Sequence, residues 1–142
     1  MPELTQKYGS AASLTTTGLS TLANGASATS GTLDLTSANP FDVHVEAVLT
    51  TGAAATAGSL IRIYAKFSID NTDFTTDVND RWLGNVILSG AGAATHKGVF
   101  SVAAGFPGGI IPPYVKIRVQ QDTSDAFTAG TLATRFVTAQ TV

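Results

Sequence analysis

Residues 59–77 read SLIRIYAKFSIDNTDFTTD, and the other strands of the chain are expected to pack around this segment. Its apolar positions alternate with polar ones, the apolar set being Ile61, Ile63, Ala65, Phe67 and Ile69. Side chains of an extended chain point alternately to opposite faces, so this period of two predicts a half-buried β-strand over Leu60–Asp70 with the apolar set facing the core. Asp and Asn accept hydrogen bonds from nearby backbone N–H groups, so Asp70–Asp73 is expected to form a turn. A short strand, Phe74–Thr76, is expected to fold back after it as a hairpin.

Two further stretches show the same alternation. They are Phe41–Thr51 and Tyr114–Gln121, and we expect both to be core strands. The side chains expected in the core include Phe41, Val45, Ile63, Phe67, Ile117 and Val119. A weaker run, Thr95–Ala103, is expected to be a strand with Val99, and secondarily Phe100, facing inward. Strands at this spacing, separated by turn-forming residues, predict an all-β fold: an antiparallel β-sandwich, with a jelly roll as the favoured variant.

Composition narrows the class of protein. The chain has 142 residues, of which 44% are hydrophobic and only 13% are charged, with a net charge of −2 and no cysteine. One domain is the default at this length. The absence of cysteine excludes disulfides and thiolate metal sites. The small net charge gives no electrostatic reason to expect nucleic-acid binding. The sequence contains no run of about 18 apolar residues, so we expect no membrane span.

The N-terminal segment, residues 1–12, differs from the remainder. Its sequence MPELTQKYGSAA has no apolar period, so we expect an extended N-terminal arm preceding a single sandwich domain over residues 13–142. Leu4 and Tyr8 are its apolar anchors, and Lys7 is positioned to pair with a carboxylate of a partner. These three residues are therefore candidate partner-binding residues.

Groups capable of catalysis or metal binding are few. The two histidines, His44 and His96, have no partner at a known catalytic spacing, and we expect both at the surface or at a strand edge. An acidic set could supply oxygen ligands for Ca²⁺, although turn capping by Asp is the favoured interpretation because the set lacks a complete calcium motif. Its members are Asp70, Asp73, Asp77 and Asp80. We predict no catalytic residues, no metal site and no cofactor.

Three aromatic residues complete the candidate interaction set: Tyr64, Trp82 and Tyr114. Tyr64 lies on the polar face of its strand, and the other two lie near turns. Aromatic rings of this kind could stack on sugars, but they more often fill a core or a protein interface. We interpret them as candidate partner-binding residues, with sugar binding as the alternative.

Three segments resemble small virion proteins of tailed bacteriophages. The first is Ile63–Phe74 (IYAKFSIDNTDF), the second Ile111–Val119 (IPPYVKIRV) and the third Gly130–Leu132 (GTL). The chain departs from that pattern at Asn71, where Gly is usual, which affects the type of turn. The resemblance implies a capsid decoration (cement) protein on the capsid surface, with a sandwich or jelly-roll fold and no catalytic residues.

Several expectations follow from that resemblance. The implied partners are the major capsid protein or other virion subunits, and the implied oligomer is a homotrimer, since a decoration protein commonly sits at three-fold positions. The alternative from another class is a carbohydrate-binding or adhesion module, displayed on the virion or secreted. An enzyme is disfavoured: a glycosidase of this fold needs a pair of carboxylates, and Glu3 and Glu46 are the only glutamates.

Overall fold

The three alternating runs of the sequence form central strands of two antiparallel sheets packed face to face. The computed structural model describes residues 3–52, 57–90, 93–123 and 126–141. Their strands are β1 (Leu4–Tyr8), β2 (Ala12–Leu14), β3 (Ser27–Thr29), β4 (Leu33–Asp34), β5 (Asp42–Thr51), β6 (Leu60–Ser68), β7 (Arg81–Ile87), β8 (Thr95–Ser101), β9 (Tyr114–Gln121) and β10 (Phe127–Thr141). The all-β antiparallel sandwich is thereby confirmed.

The two sheets are built from strands that are distant in sequence. Sheet I has the order β1-β10-β5-β8, and β2 pairs with β10 beside β1. Sheet II has the order β3-β9-β6-β7, and β4 pairs with β9 beside β3. Every neighbouring pair is antiparallel, as expected when one face of each sheet is buried and the other is solvated.

The core lies between the sheets and comes from the apolar faces of β5, β6 and β9. The predicted core residues Val45, Ile63, Ile117 and Val119 are fully buried. Phe67 is only half-buried, so the expectation of full burial is wrong for it. Its ring packs edge-on against Phe106 at 5.1 Å between ring centroids, at the margin of the core.

Three predicted core positions face solvent instead. Ile69 is 83% exposed because β6 ends at Ser68. The alternation of apolar and polar residues in the sequence therefore extends two residues beyond the strand itself. Phe41 lies just before β5 and is exposed. In β8 the expected orientation of Val99 is reversed: this residue is 64% exposed, whereas Phe100, the second residue expected to face inward, is buried.

The reversal in β8 has a steric cause. A Cβ atom on Gly98 would lie 2.6 Å from the Phe100 ring, and one on Gly84 would lie 2.7 Å from the same ring. The two glycines therefore leave the space that the aromatic ring fills. Phe100 supplies more buried area than Val99 could, which favours the observed orientation.

The expected hairpin after β6 is also wrong, because Phe74–Thr76 is not a strand. The backbone N–H of Thr75 still donates to the carbonyl of Phe67 at 3.1 Å, but regular pairing does not continue. Asn71 adopts φ 62° in the turn, a left-handed conformation that Asn tolerates where Gly would be usual.

The described part of the N-terminal segment, residues 3–12, is not separate from the sandwich. Leu4–Tyr8 form β1, which pairs with β10 from Leu4↔Thr141 to Tyr8↔Val137. All five of its side chains are exposed. This part of the expected arm therefore belongs to sheet I through its backbone, while its side chains remain free to contact another molecule.

Candidate functional site

The six candidate partner-binding residues lie in two separate places. Leu4, Lys7 and Tyr8 lie on β1 at the edge of sheet I, and Tyr8 and Leu4 are exposed. Tyr64, Trp82 and Tyr114 lie on strands of sheet II. The structure thus does not bring the six residues together into one site.

Tyr64 and Trp82 are direct neighbours on the solvent face of sheet II. They are paired in register across β6 and β7, next to a β-bulge between Ile63 and Tyr64. Trp82 is 58% exposed, and its indole N–H donates to Oδ1 of Asn85 at 3.2 Å. Tyr114 lies four residues from Arg118, the register partner of Tyr64, which corresponds to about 13 Å along β9. Tyr64 and Trp82 therefore form a pair, and Tyr114 lies apart from it.

The Tyr64 ring also takes part in a charged cluster. The Arg118 guanidinium lies over that ring at 4.3 Å from its centroid. One face of the ring is thus occupied by a cation, an arrangement that stabilises both groups and fixes the ring orientation. Tyr64 consequently has less free surface for stacking on a ligand than its place in the strand pattern suggests.

The cluster centres on the carboxylate of Asp80, whose side chain is fully buried. Arg118 Nε donates to Asp80 Oδ2 at 2.7 Å, and Lys66 Nζ lies 3.3 Å from the same oxygen. The Thr75 hydroxyl donates to Asp80 Oδ1 at 2.8 Å. The Arg118 side chain is only 6% exposed. One buried carboxylate is therefore shared by two cations that come from the two central strands of sheet II.

Asp77 forms the solvent-exposed side of the same cluster. Lys66 Nζ donates to Asp77 Oδ1 at 2.6 Å. This hydrogen bond lowers the pKa of the Asp77 carboxyl, the Arg118 charge acts in the same direction, and partial burial opposes both. Lys66 also donates to the Thr75 carbonyl at 3.0 Å, so the cluster fixes the backbone as well as the carboxylates.

These contacts attach the connection between β6 and β7 to sheet II. The connection comprises residues 69–80, and we call it the 69–80 loop. Its first turn is capped by Asp70, which accepts from the N–H groups of Thr72 and Asp73 and from the Ser68 hydroxyl. The Thr72 N–H does most to lower the pKa of the Asp70 carboxyl. Turn capping, the favoured interpretation of the acidic set, is confirmed for this residue.

The 69–80 loop is also attached near its middle and exposes apolar side chains on its outer surface. Lys116 Nζ lies over the Phe74 ring at 4.0 Å from the centroid. Two aliphatic residues face solvent, Ile69 at 83% exposure and Val78 at 91%. Anchored backbone with exposed aliphatic side chains is typical of a preorganised contact surface, since little conformational entropy remains to be lost on binding.

Sequence reasoning missed this cluster. The sequence pattern places Asp77 and Asp80 in an acidic set and gives them no cationic partner. A signal for the cluster was present in the sequence: Lys66 and Arg118 each occupy the polar face of a predicted strand, and four aspartates occur within eleven residues after the first of these strands. Among the described residues, no group of three or more His, Asp or Glu side chains could hold a metal ion.

The solvent face of sheet I contains a shallow depression of about 140 Å³. Its lining includes His44, Glu46, Val99 and Arg135. His44 Nε2 lies 3.1 Å from Asp42 Oδ2, and its ring lies 5.6 Å from that of Tyr8. His44 is therefore an outward-facing residue, as expected, with one carboxylate beside it.

His96 lies on an edge strand of sheet I, which is one of the two expected placements, but its side chain is not at the surface. It lies on β8 and is buried, with no hydrogen-bond partner for Nε2 among the residues that the structure describes. Its register partner is Leu49, a fully buried core residue. In Thr95–Ser101 the inward face is the one that carries His96, Gly98 and Phe100, so the same reversal that exposes Val99 buries this histidine.

Comparison with known proteins adds no family assignment, because no protein-family model and no curated protein matches this chain. In the part of the chain that the structure describes, no helix is both long and apolar enough to cross a membrane.

Proposed function

We propose that this chain is a structural protein of a tailed-bacteriophage virion, a decoration (cement) protein that binds the outside of the assembled head shell. The observation that carries the proposal is the 69–80 loop, a rigidly held connection with Ile69 and Val78 exposed. Exposed aliphatic side chains on an anchored backbone favour binding to another protein, because covering them buries apolar area at little cost in conformational entropy. The major capsid protein, or another virion subunit, is the proposed partner.

The segments that resemble phage virion proteins support this proposal by their positions. Ile63–Phe74 covers the end of β6 and the first half of the 69–80 loop, and Ile111–Val119 leads into β9 and forms most of it. The two segments run side by side, with Phe67 in register with Val115. The resemblance therefore coincides with the surface that the geometry favours for binding.

The order of the strands supports the finer assignment of a jelly roll. The chain crosses repeatedly between the sheets: β2 in sheet I, β3 and β4 in sheet II, β5 in sheet I, β6 and β7 in sheet II, and then β8, β9 and β10 in alternation. Two four-strand paths connected in this way are expected for a jelly roll built from two Greek keys. This architecture is used in viral capsid proteins.

The proposed mechanism is thermodynamic linkage and involves no chemical step. A protein that binds the assembled shell but not the free shell subunits stabilises the assembled state by mass action. Contacts that span a junction between shell subunits add buried area only when both subunits are in place. Attachment as a trimer would add avidity, because three linked contacts dissociate together far less often than one.

A reconstitution experiment tests the 69–80 loop as the binding surface. Purified particles of the source phage that lack this chain are mixed with wild-type protein, with Val78→Asp and with Ile69→Asp, and bound protein is measured after sedimentation. Both residues are exposed, so neither change should unfold the domain. We expect binding to fall at least tenfold for each variant.

Ile110→Asp is the matched control, since Ile110 is an equally exposed aliphatic residue on a different connection. It should bind as wild type does. Undiminished binding of both loop variants would contradict the assignment of this surface, and absence of binding by the wild-type protein would contradict the proposed function itself.

A carbohydrate-binding module is the second candidate function, and the exposed Trp82 favours it. Its indole ring lies beside the amide of Asn85 and in register with Tyr64, so an apolar ring face and hydrogen-bonding groups occur together. A glycan array probed with wild type and Trp82→Ala tests this candidate. Binding that depends on Trp82 would favour it, and absence of any glycan signal would exclude it for the sugars on the array.

A further inference from the structure

The end of β10 and strand β1 form a two-stranded ribbon that extends beyond the sandwich. β10 pairs with β5 from Phe127 to Val137, and its pairing with β1 continues to Thr141. Within the described residues, Thr138–Thr141 therefore pair with β1 alone. Two strands are a less stable arrangement than three or more, so a further strand on the open side would stabilise this extension of the sheet.

The direction of the backbone groups along this ribbon follows from three hydrogen bonds. Gly9 N–H donates to the Phe136 carbonyl on the β1 side, and Phe41 N–H donates to the Val137 carbonyl on the β5 side. The backbone carbonyl of Gln140 accepts a hydrogen bond from the Thr5 hydroxyl, again on the β1 side. Because backbone groups in an antiparallel strand alternate between its two sides, the N–H and C=O groups of Ala139 and Thr141 face the open edge beyond β5.

This open edge differs from the other long sheet edges that the structure describes. Natural sheets protect their edges with charged side chains, bulges or short strands. The outer edge of β1 carries Lys7, β8 carries Lys97, and β7 carries Arg81 and a bulge opposite β6. Residues 137–141 read VTAQT, with neither charge nor proline. This segment is therefore suited to accept another strand.

We propose that the open edge of β10 pairs with the same edge of a second copy of this chain, antiparallel and across a two-fold axis at Gln140. In that register Ala139 of each copy lies opposite Thr141 of the other. Each such pair exchanges two backbone hydrogen bonds, and the contact satisfies all four backbone groups of each copy that face the edge. The two five-stranded sheets become one continuous sheet.

The side chains fit this register without conflict. The two Gln140 side chains meet at the axis in a position without backbone hydrogen bonds, where cross-strand side chains lie closest and two amides can bond to each other. No like charges oppose each other, because the segment has none.

This inference does not depend on the proposed function. A two-fold contact is present in a dimer or in a dimer of trimers, but a trimer alone does not contain it. Native mass spectrometry of the wild-type protein should therefore give assemblies with an even number of chains. A wild-type protein that stays monomeric or purely trimeric at its highest soluble concentration overturns the proposal.

Charge exchange at Gln140 tests the register. Gln140→Lys and Gln140→Glu each place like charges across the axis, so each variant alone should halve the number of chains in the assembly. An equal mixture should restore the even-numbered assembly as a mixed species. Gln6→Lys is the matched control, because it puts the same charge on the neighbouring strand of the ribbon and should leave the mass unchanged. Variants that keep the wild-type mass overturn the proposal.

Ala139→Pro provides an independent test. Proline removes the N–H that faces the open edge but leaves the groups that pair with β1, so the ribbon should survive, as checked by circular dichroism. The variant should lose the two-fold contact. Amide hydrogen exchange adds a residue-level readout that does not require this variant: the amides of Ala139 and Thr141 should be protected in the wild type and fast in Gln140→Lys. Fast exchange of both amides in the wild type overturns the proposal.

Discussion

Neutralising Asp80 should destabilise the protein more than any other single charge removal in the 69–80 loop. In Asp80→Asn the shape of the side chain is kept and its charge is removed. Arg118, 6% exposed, and Lys66, 14% exposed, would then remain beside a neutral group. Breaking a buried ion pair from one side costs about 3–5 kcal/mol because the other charge remains buried. Asp77 stays available to Lys66, so we expect the lower end, about 3 kcal/mol.

Urea unfolding followed by Trp82 fluorescence, together with calorimetry, measures this cost. For a domain of this size about 3 kcal/mol corresponds to a fall in Tm of about 10 °C. Asp73→Asn is the control: it removes an exposed carboxylate of the same loop and should change the free energy of unfolding by less than about 0.5 kcal/mol.

A double variant separates the ion pair from other causes. In Asp80→Leu with Arg118→Met both buried charges of the closest pair are replaced by apolar groups of similar size. Such replacements are often neutral or stabilising, so the double variant should recover more than half of the loss. A cost below about 1 kcal/mol for Asp80→Asn would show that the carboxylate is not the group that holds Arg118 in place.

Three further outcomes are expected. Ile117→Ala removes a fully buried side chain and should cost about 3–4 kcal/mol, whereas Phe67→Ala, half-buried, should cost about 2 kcal/mol in the same urea titration. Gly98→Ala should cost about 1–3 kcal/mol, because its Cβ atom would collide with the Phe100 ring; an unchanged Tm would contradict that packing. The pKa of Asp70 is held below its ordinary value of 3.8, so its contribution is present above that pH and is lost as the pH falls through the lower folded value. Asp70→Asn should therefore show a smaller loss of stability than wild type when acidified below about pH 4.

The sequence predicted the strands whose signal is local. Phe41–Thr51 and Tyr114–Gln121 match β5 and β9 to within one residue, because the alternation of apolar side chains is written into consecutive positions. In Thr95–Ser101 the strand was predicted, but Val99 was placed inward, because no clear alternation exists there and the orientation depends on the space above Gly98. The inward face of β8 can be identified only from the structure, where the Phe100 ring packs over Gly84 of β7 and Gly98 of β8.

The candidate site was harder to predict because it depends on pairing between distant residues. Asp80 and Arg118 are 38 positions apart, and β1 meets the end of β10 across almost the whole chain. Tyr64 and Trp82 become neighbours through a register that includes a bulge, which pattern alone does not reveal. Composition indicated the types of residues at the surface, but only the strand order shows which of them lie together.

The proposed role as a decoration protein can be tested by quantitative mass spectrometry of purified phage particles, combined with cryo-electron microscopy of the same sample. We expect this chain in a fixed ratio to the major capsid protein, at tens to hundreds of copies per head, and density for the β-sandwich on the outer surface with the 69–80 loop against the shell. Particles that are complete and infectious but contain none of this chain, or that carry it at only a few copies away from the head, would contradict the claim.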